Sequence, residues 1–231
     1  MDPLWAILSD PKQKFGKWDQ ERFFLTGKNE ITAVMEHAIK AGYLQGRERA
    51  LDFGCGVGRL TRALAKYFNE CYGIDISERM IAKAIELNRD IPNCKFLVNT
   101  EENLQVFPDN HFDMVYTSLV LQHIPGRFTI ESYISEFVRT MKRKGLLVFQ
   151  MPSYIQPLYK LQPRRRLYHL LKALGFSAEL LYTRLGLQPI RYTVIPEKQV
   201  VSFLRGIGAR VLEIQASANK VTANRVYYVT K

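Results

Sequence analysis

The stretch from Arg49 to Leu64, RALDFGCGVGRLTRAL, leaves few folds open to this chain. Ala50, Leu51 and Phe53 read as a short apolar strand. Gly54-Cys55-Gly56-Val57-Gly58 break it, and Leu60, Ala63 and Leu64 resume with helical spacing. A strand running through a glycine loop into a helix can cradle a ligand, because glycine turns the backbone through positive φ and presents no Cβ to an approaching group. The helix N-terminus then offers unpaired N–H groups to something polar or anionic. A plain tight turn would use glycines too, so the loop alone does not decide. Dinucleotide-binding loops read G-x-G-x-x-G, the last glycine permitting close helix–strand packing. Here the spacing is G-x-G-x-G, and Arg59 occupies the place of that last glycine. The spacing argues against a dinucleotide.

Two acids narrow the choice. Asp52 closes the first strand, and Cys71-Tyr72-Gly73-Ile74-Asp75-Ile76 reads as a second strand ending in Asp75. An acid at the tip of the neighbouring strand can accept hydrogen bonds from both hydroxyls of a ribose. Together with LDFGCGVGRLT and GIDIS, the later segment FDMVYTSLVLQHIP makes residues 45–152 resemble the class I S-adenosylmethionine-dependent methyltransferases. The resemblance implies a doubly wound α/β fold with a seven-stranded, mostly parallel sheet. It also implies S-adenosylmethionine as cofactor, S-adenosylhomocysteine as product, and methyl transfer as the reaction.

By the same resemblance, Gly54, Gly56 and Gly58 shape the loop for the methionine end, and Asp75 holds the ribose. Asn99 and Thr100 flank adenine, with Asn99 where relatives commonly carry an acid; an amide can both donate and accept there. Ser118 and Leu119 face the sulfonium. Asp52, Phe53, Cys55, Ile76, Met80 and Glu101 complete the expected cofactor-lining set. Relatives often have a histidine at the position of His123, and a histidine suits removal of a proton from a hydroxyl acceptor. Its structural alternative is to shape the loop. No His/carboxylate cluster suggests a metal.

Along the rest of the chain, residues 1–28 carry Trp5, Phe15, Trp18, Phe23 and Phe24, and read as an N-terminal arm or lid. Trp18 or Phe24 is a candidate to approach the site. NEITAVMEHAIKA has helical spacing from a cap at Asn29, with His37 as a surface or packed side chain. Helices are expected over 58–68, after a Ser77 cap, and over 130–141; strands over 94–98, 112–119 and 146–152. PEKQVVSFLRGIG reads as a helix begun by proline and stopped by glycine, followed by two closing strands around Asn219-Lys220. The methyltransferase domain is thus expected to comprise 29–152 and 194–231.

Residues 153–193 remain as a helical insertion. Leu167, Leu170, Leu171 and Leu174 recur at i, i+3, i+4, i+7 beside Arg164-Arg165-Arg166, and Ser177 can cap a second helix with Leu180, Leu181 and Leu185. A basic amphipathic helix is most often packed on its own domain. The leading reading is a substrate lid, with a membrane-surface element or a dimer contact as the physical alternatives. Tyr154, Tyr159, Tyr182 and Tyr192 are candidates to line an acceptor pocket.

Charge bears on the partner. Residues 139–231 hold 17 Lys/Arg against 3 Asp/Glu, whereas residues 1–138 hold 16 against 19, within a net charge of +11. The basic part suits an anionic partner or substrate, or is simply a solvated face. Three cysteines without C-x-x-C spacing imply neither a disulfide framework nor a zinc site, and with no apolar block at the start they suggest a cytoplasmic setting. No run reaches the ~18 apolar residues of a membrane span. A small-molecule acceptor methylated on oxygen or nitrogen is favoured, since the insertion can close a pocket. An RNA or protein methyltransferase comes second, because no N-P-P-Y-type motif follows strand four. A non-catalytic cofactor-binding scaffold is third. Oligomeric state is not readable.

Overall fold

The computed structural model describes residues 4, 7, 18–157, 161–187, 189, 192–218 and 222–231. Its centre is a seven-stranded sheet of β1 (Arg49–Phe53), β2 (Glu70–Asp75), β3 (Cys94–Val98), β4 (Phe112–Thr117), β5 (Met141–Ile155), β6 (Arg210–Ala218) and β7 (Thr222–Thr230). The order is β3-β2-β1-β4-β5-β7-β6. The first five strands pair in parallel, and β7 runs antiparallel to both β5 and β6. β1 and β4 are buried almost throughout, as strands covered on both faces must be. Strand order reverses between β1 and β4, which opens a crevice beyond their C-terminal ends.

The helices are α1 (Gln20–Lys40), α2 (Arg59–Leu64), α3 (Glu78–Leu87), α4 (Arg127–Thr140), α5 (Pro163–Ala173), α6 (Ala178–Thr183) and α7 (Glu197–Gly206). One apolar layer, with Ile31, Met35, Leu60 and Leu64, fills the space between α1, α2 and the sheet. The other, with Ile134, Phe137, Phe149, Leu204 and Tyr227, lies under α4 and α7. No helix among the described residues is long and apolar enough to cross a membrane.

Several boundaries differ from the sequence reading. Asn29 is not a cap: α1 begins at Gln20, where the Asp19 side chain accepts from the Arg22 N–H at 2.8 Å. Residues 20–28 of the expected arm are therefore helix. Gly27 within it disguised the continuity, and it is there for packing. A Cβ at Gly27 would stand 2.5 Å from the Arg59 carbonyl oxygen. α2 stops at Leu64 rather than Phe68, tightening through a Lys66-to-Ala63 turn. β5 runs on to Ile155, past Pro152, which sits at a register shift against β7. The expected insertion therefore begins inside a strand. Ser77 does cap α3, accepting from the Met80 N–H at 3.3 Å. Trp5, Phe15, Tyr159 and Asn219-Lys220 lie outside the described residues.

Buried polar groups hold the glycine loop from below. Arg59 is 3% exposed and pairs with Glu30 of α1 at 2.9 Å, while Glu30 also accepts from the Tyr116 hydroxyl of β4 at 2.9 Å. Asp52, 1% exposed, accepts from the Thr61 hydroxyl at 2.6 Å. Burial pushes the Asp52 carboxyl up to about 7, against the opposing pull of Thr61 and Arg59.

Two stability predictions follow from this layer. Gly27→Ala should lose about 1–3 kcal/mol in urea denaturation through overpacking against the Arg59 backbone, although alanine is the better helix former. The folded protein keeps the Asp52 proton that the unfolded chain releases near pH ~4. Stability should therefore fall as pH rises from roughly 4 to 7. Asp52→Asn keeps an acceptor for Thr61 and should remove that slope, leaving the variant more stable than the parent at pH 8 in the same measurement.

Candidate cofactor and methyl-transfer site

The loop after β1 is built from three glycines with φ of +73°, +55° and +82° at Gly54, Gly56 and Gly58. They do different work. A Cβ at Gly54 would run into Val120, and one at Gly58 would lie 2.7 Å from Phe96 and Asn88. Those two permit close packing of protein on protein. A Cβ at Gly56 would stand 2.6 Å from Ile7, so this glycine admits the N-terminal segment to the loop. That contact places part of the N-terminal segment over the cradle.

The loop's own N–H groups are mostly committed. Gly54 and Cys55 donate to the Ile74 carbonyl (2.8 and 2.9 Å), and Gly58 donates to Cys55. Gly56 donates instead to Asp75 Oδ2 at 3.0 Å, while Ser77 donates to Asp75 Oδ1 at 2.9 Å. The half-buried Asp75 carboxylate is thereby fixed at the tip of β2, with one lone pair on each oxygen remaining for a ligand hydroxyl.

At the tip of β3, Asn99 donates both amide hydrogens to backbone carbonyls, those of Glu101 at 3.2 Å and Asn103 at 2.9 Å. Its donors close its own loop, so only Oδ1 is left to a ligand. The amide thus presents an acceptor, as an acid would. Thr100 and Glu101 are exposed beside it, and the Glu101 carbonyl also accepts from Tyr133.

Apolar side chains stand unusually open around this crevice. Ile76 is 70% exposed, Val98 41% and Leu119 36%, at or just beyond the tips of β2, β3 and β4. Leu119 adopts φ +62°, a left-handed conformation costly for a leucine. Beneath it, the Thr117 hydroxyl is buried without a hydrogen-bond partner among the described residues. Ser118 bonds Gln150 of β5 at 3.4 Å and also reaches Tyr116.

Other expected residues face elsewhere. Asp52 lies under the loop as described. Phe53 packs on Tyr133 and Phe137 in the core, with ring centroids 4.7 and 4.9 Å away. Cys55 is buried, and burial pushes its thiol well up, so it is an inert packing group. Met80 is half-buried in the first turn of α3. Phe24 carries the Arg62 guanidinium over its ring at 5.1 Å, in the groove between α1 and α2, and Trp18 meets Phe23 edge-on. His37 bonds Glu213 of β6 at 2.7 Å, a structural tie.

His123 ends a 3₁₀ turn, Leu121–His123, beyond β4. Its ring lies 3.2 Å from the Gln122 amide and edge-on to Tyr192, at a centroid distance of 5.2 Å. Thr193 then stitches the returning insertion to the same turn: its N–H donates to the Gln122 carbonyl and its hydroxyl to the Ile124 carbonyl, both at 2.8 Å. Of the candidate tyrosines, Tyr192 is brought to His123. Glu30, Arg59, Gln150 and Thr193 were not readable as site-supporting residues. The position of Arg59 in place of a glycine was the available signal, since a buried arginine needs an acid.

Comparison with known proteins agrees with this fold. Residues 51–149 match the family model of the methyltransferase domain. The 2-methyl-6-phytyl-1,4-hydroquinone methyltransferase of Synechocystis is 36% identical over 42% of this chain and 30% of that protein. A demethylmenaquinone methyltransferase of Tropheryma whipplei is 33% identical over 55% of this chain and 53% of its own length. The matches thus span about half or less of those relatives. In fold, the chain superposes on the crystal structure of magnesium protoporphyrin IX methyltransferase from Synechocystis, solved with bound S-adenosylhomocysteine. That likeness has a TM-score of 0.64 at 20% identity and covers 99% of this chain and 93% of that one. Residues 51–149 thus carry the methyltransferase domain, and the seven-stranded sheet they begin has the fold of the solved methyltransferases.

Proposed function

We propose that this protein binds S-adenosylmethionine in the crevice beyond β1, β2 and β4 and transfers its methyl group to a small-molecule acceptor. The observation that carries the reading is Asp75, held by the Gly56 and Ser77 N–H groups with acceptor capacity directed at a ligand. The residues present fit the cofactor. Its methionine part would take the place beside Gly56 that Ile7 occupies, Asp75 would accept from ribose hydroxyls, and Asn99 Oδ1 can accept from the adenine amino group. Ile76, Val98 and Leu119 supply an apolar surface for the base. When bound, the cofactor supplies an electrophilic methyl on a sulfonium.

The chain's contribution to transfer is alignment, since an in-line displacement gains most from holding the reacting atoms in register. Ser118 and Leu119 border the reaction centre, and the strained Leu119 backbone fixes where its side chain stands. His123, steadied by Gln122 and Tyr192, is placed to take the proton from a hydroxyl or amine acceptor as the new bond to carbon forms. The relatives named for quinone-type substrates support a small, largely apolar acceptor with an oxygen or nitrogen as the accepting atom.

Titration calorimetry should give binding of S-adenosylmethionine and S-adenosylhomocysteine and none of NADH; binding of NADH alone would overturn the assignment. Asp75→Ala should weaken S-adenosylmethionine binding by roughly 1–3 kcal/mol, since it removes a charge-assisted acceptor. Unchanged affinity would remove Asp75 from the site. With a hydroquinone acceptor at saturation, His123→Ala should lower the turnover rate by roughly 10²-fold or more if the imidazole takes the proton. A rate equal to the parent's would leave His123 a merely structural role.

A further inference from the structure

We propose that the helical pair α5–α6 is a docking face for an anionic lipid bilayer. Among its described residues α5 buries none of its side chains. Leu167, Leu170 and Leu174 are 45%, 58% and 67% exposed, and Phe176 and Leu185 nearby are 44% and 53% exposed. At ~100° per residue, the three leucines of the α5 row fall within an arc of about 60°, and Arg164 and Arg166 lie on opposite sides of it. This is an apolar stripe between two cations, facing outward. Leu171, the fourth leucine of the row, is half-buried on the side toward the domain.

The charge decides what covers the stripe. Residues 161–187 hold Arg164, Arg165, Arg166, Lys172 and Arg184 against Glu179 alone. Arg165 is turned inward, its Nε donating to the Pro189 carbonyl at 3.3 Å. The guanidinium groups of Arg164 and Arg166 have no ion-pair or hydrogen-bond partner among the described residues. A second copy seated on this face would bring two arginine clusters together, which like-charge repulsion opposes. A nucleic acid would satisfy the arginines but leave the leucines in water. A bilayer with anionic headgroups satisfies both: the leucines enter the interfacial layer while the arginines extend their charged ends to lipid phosphates. Cations beside an apolar stripe also make the attraction selective for anionic lipid.

The face is tied to the site. Gln162, at the start of α5, donates to the Tyr192 carbonyl at 3.1 Å, and Tyr192 packs on His123. An apolar acceptor dissolved in the bilayer would therefore enter beside His123, a consequence that rests on the methyl-transfer reading; the docking does not.

Flotation of the full chain with vesicles tests the docking without cofactor or acceptor. The protein should float with vesicles of phosphatidylcholine containing phosphatidylglycerol, about tenfold less with phosphatidylcholine alone, and less as salt rises. Leu170→Ser combined with Leu174→Ser, and separately Arg164→Glu combined with Arg166→Glu, should each abolish flotation. These exposed positions should leave thermal melting and S-adenosylmethionine affinity unchanged, which separates failure of docking from failure of the cofactor site. No flotation of the parent chain would overturn the proposal. Flotation indifferent to the leucine pair would do so too, as would light scattering showing a dimer that this pair dissociates.

Discussion

The buried charge of Arg59 organises the ligand end of this protein. A guanidinium stands where a dinucleotide-binding fold keeps a glycine, and at 3% exposure it must find an acid. Glu30 supplies it from α1, at 2.9 Å. That requirement brings α1 down on the loop, and Gly27 removes the side chain that would keep the two backbones apart. Glu30 then reaches Tyr116 on β4, whose hydroxyl leads to Ser118 and Gln150. One ion pair thus links the N-terminal helix, the glycine loop and the far side of the crevice.

A second acid steadies the opposite end of the same strands. Asp113, on β4, accepts from the backbone N–H groups of Glu48 and Arg49 at the start of β1 and from Lys142 at the start of β5. Its carboxylate is fully served by N–H donors, whereas Asp52 has the hydroxyl and N–H of Thr61 and a neighbouring charge. The two acids sit on adjacent strands in the same sheet, and their surroundings divide the labour. Asp113 staples strand ends, and Asp52 props a loop at some cost in an alkaline solvent.

Much of this was legible in the sequence where the signal is local. The strand–glycine–helix step, Asp75 at the tip of β2, the Ser77 and Ser177 caps and the final antiparallel pair are each written within a dozen residues. What was not legible depends on partners far apart in the chain. The Glu30–Arg59–Tyr116 link joins three elements, and without it Gly27 reads as an interruption rather than as a contact. Asn99 reads as a departure from an acid, but its donors are consumed by its own loop, which returns it to an acceptor. Asp52 and Cys55 lie in the motif yet point inward, because β1 is covered on both faces and its loop packs on Ile74 of β2. The leucine periodicity of α5 marked an apolar stripe correctly. Periodicity does not say what the stripe meets.

The seam between the insertion and the crevice has a further meaning. It is made largely of main-chain groups: the Thr193 N–H to the Gln122 carbonyl, and the Ile195 N–H to the Pro152 carbonyl at 3.1 Å. Bonds between backbones are indifferent to the side chains on either bank. The segment between β5 and α7 can therefore drift in sequence, lengthen or change polarity while its landing point beside His123 stays put. A lineage built on this plan can acquire new acceptors by rewriting one segment, and keep an unaltered methyl-donor crevice throughout.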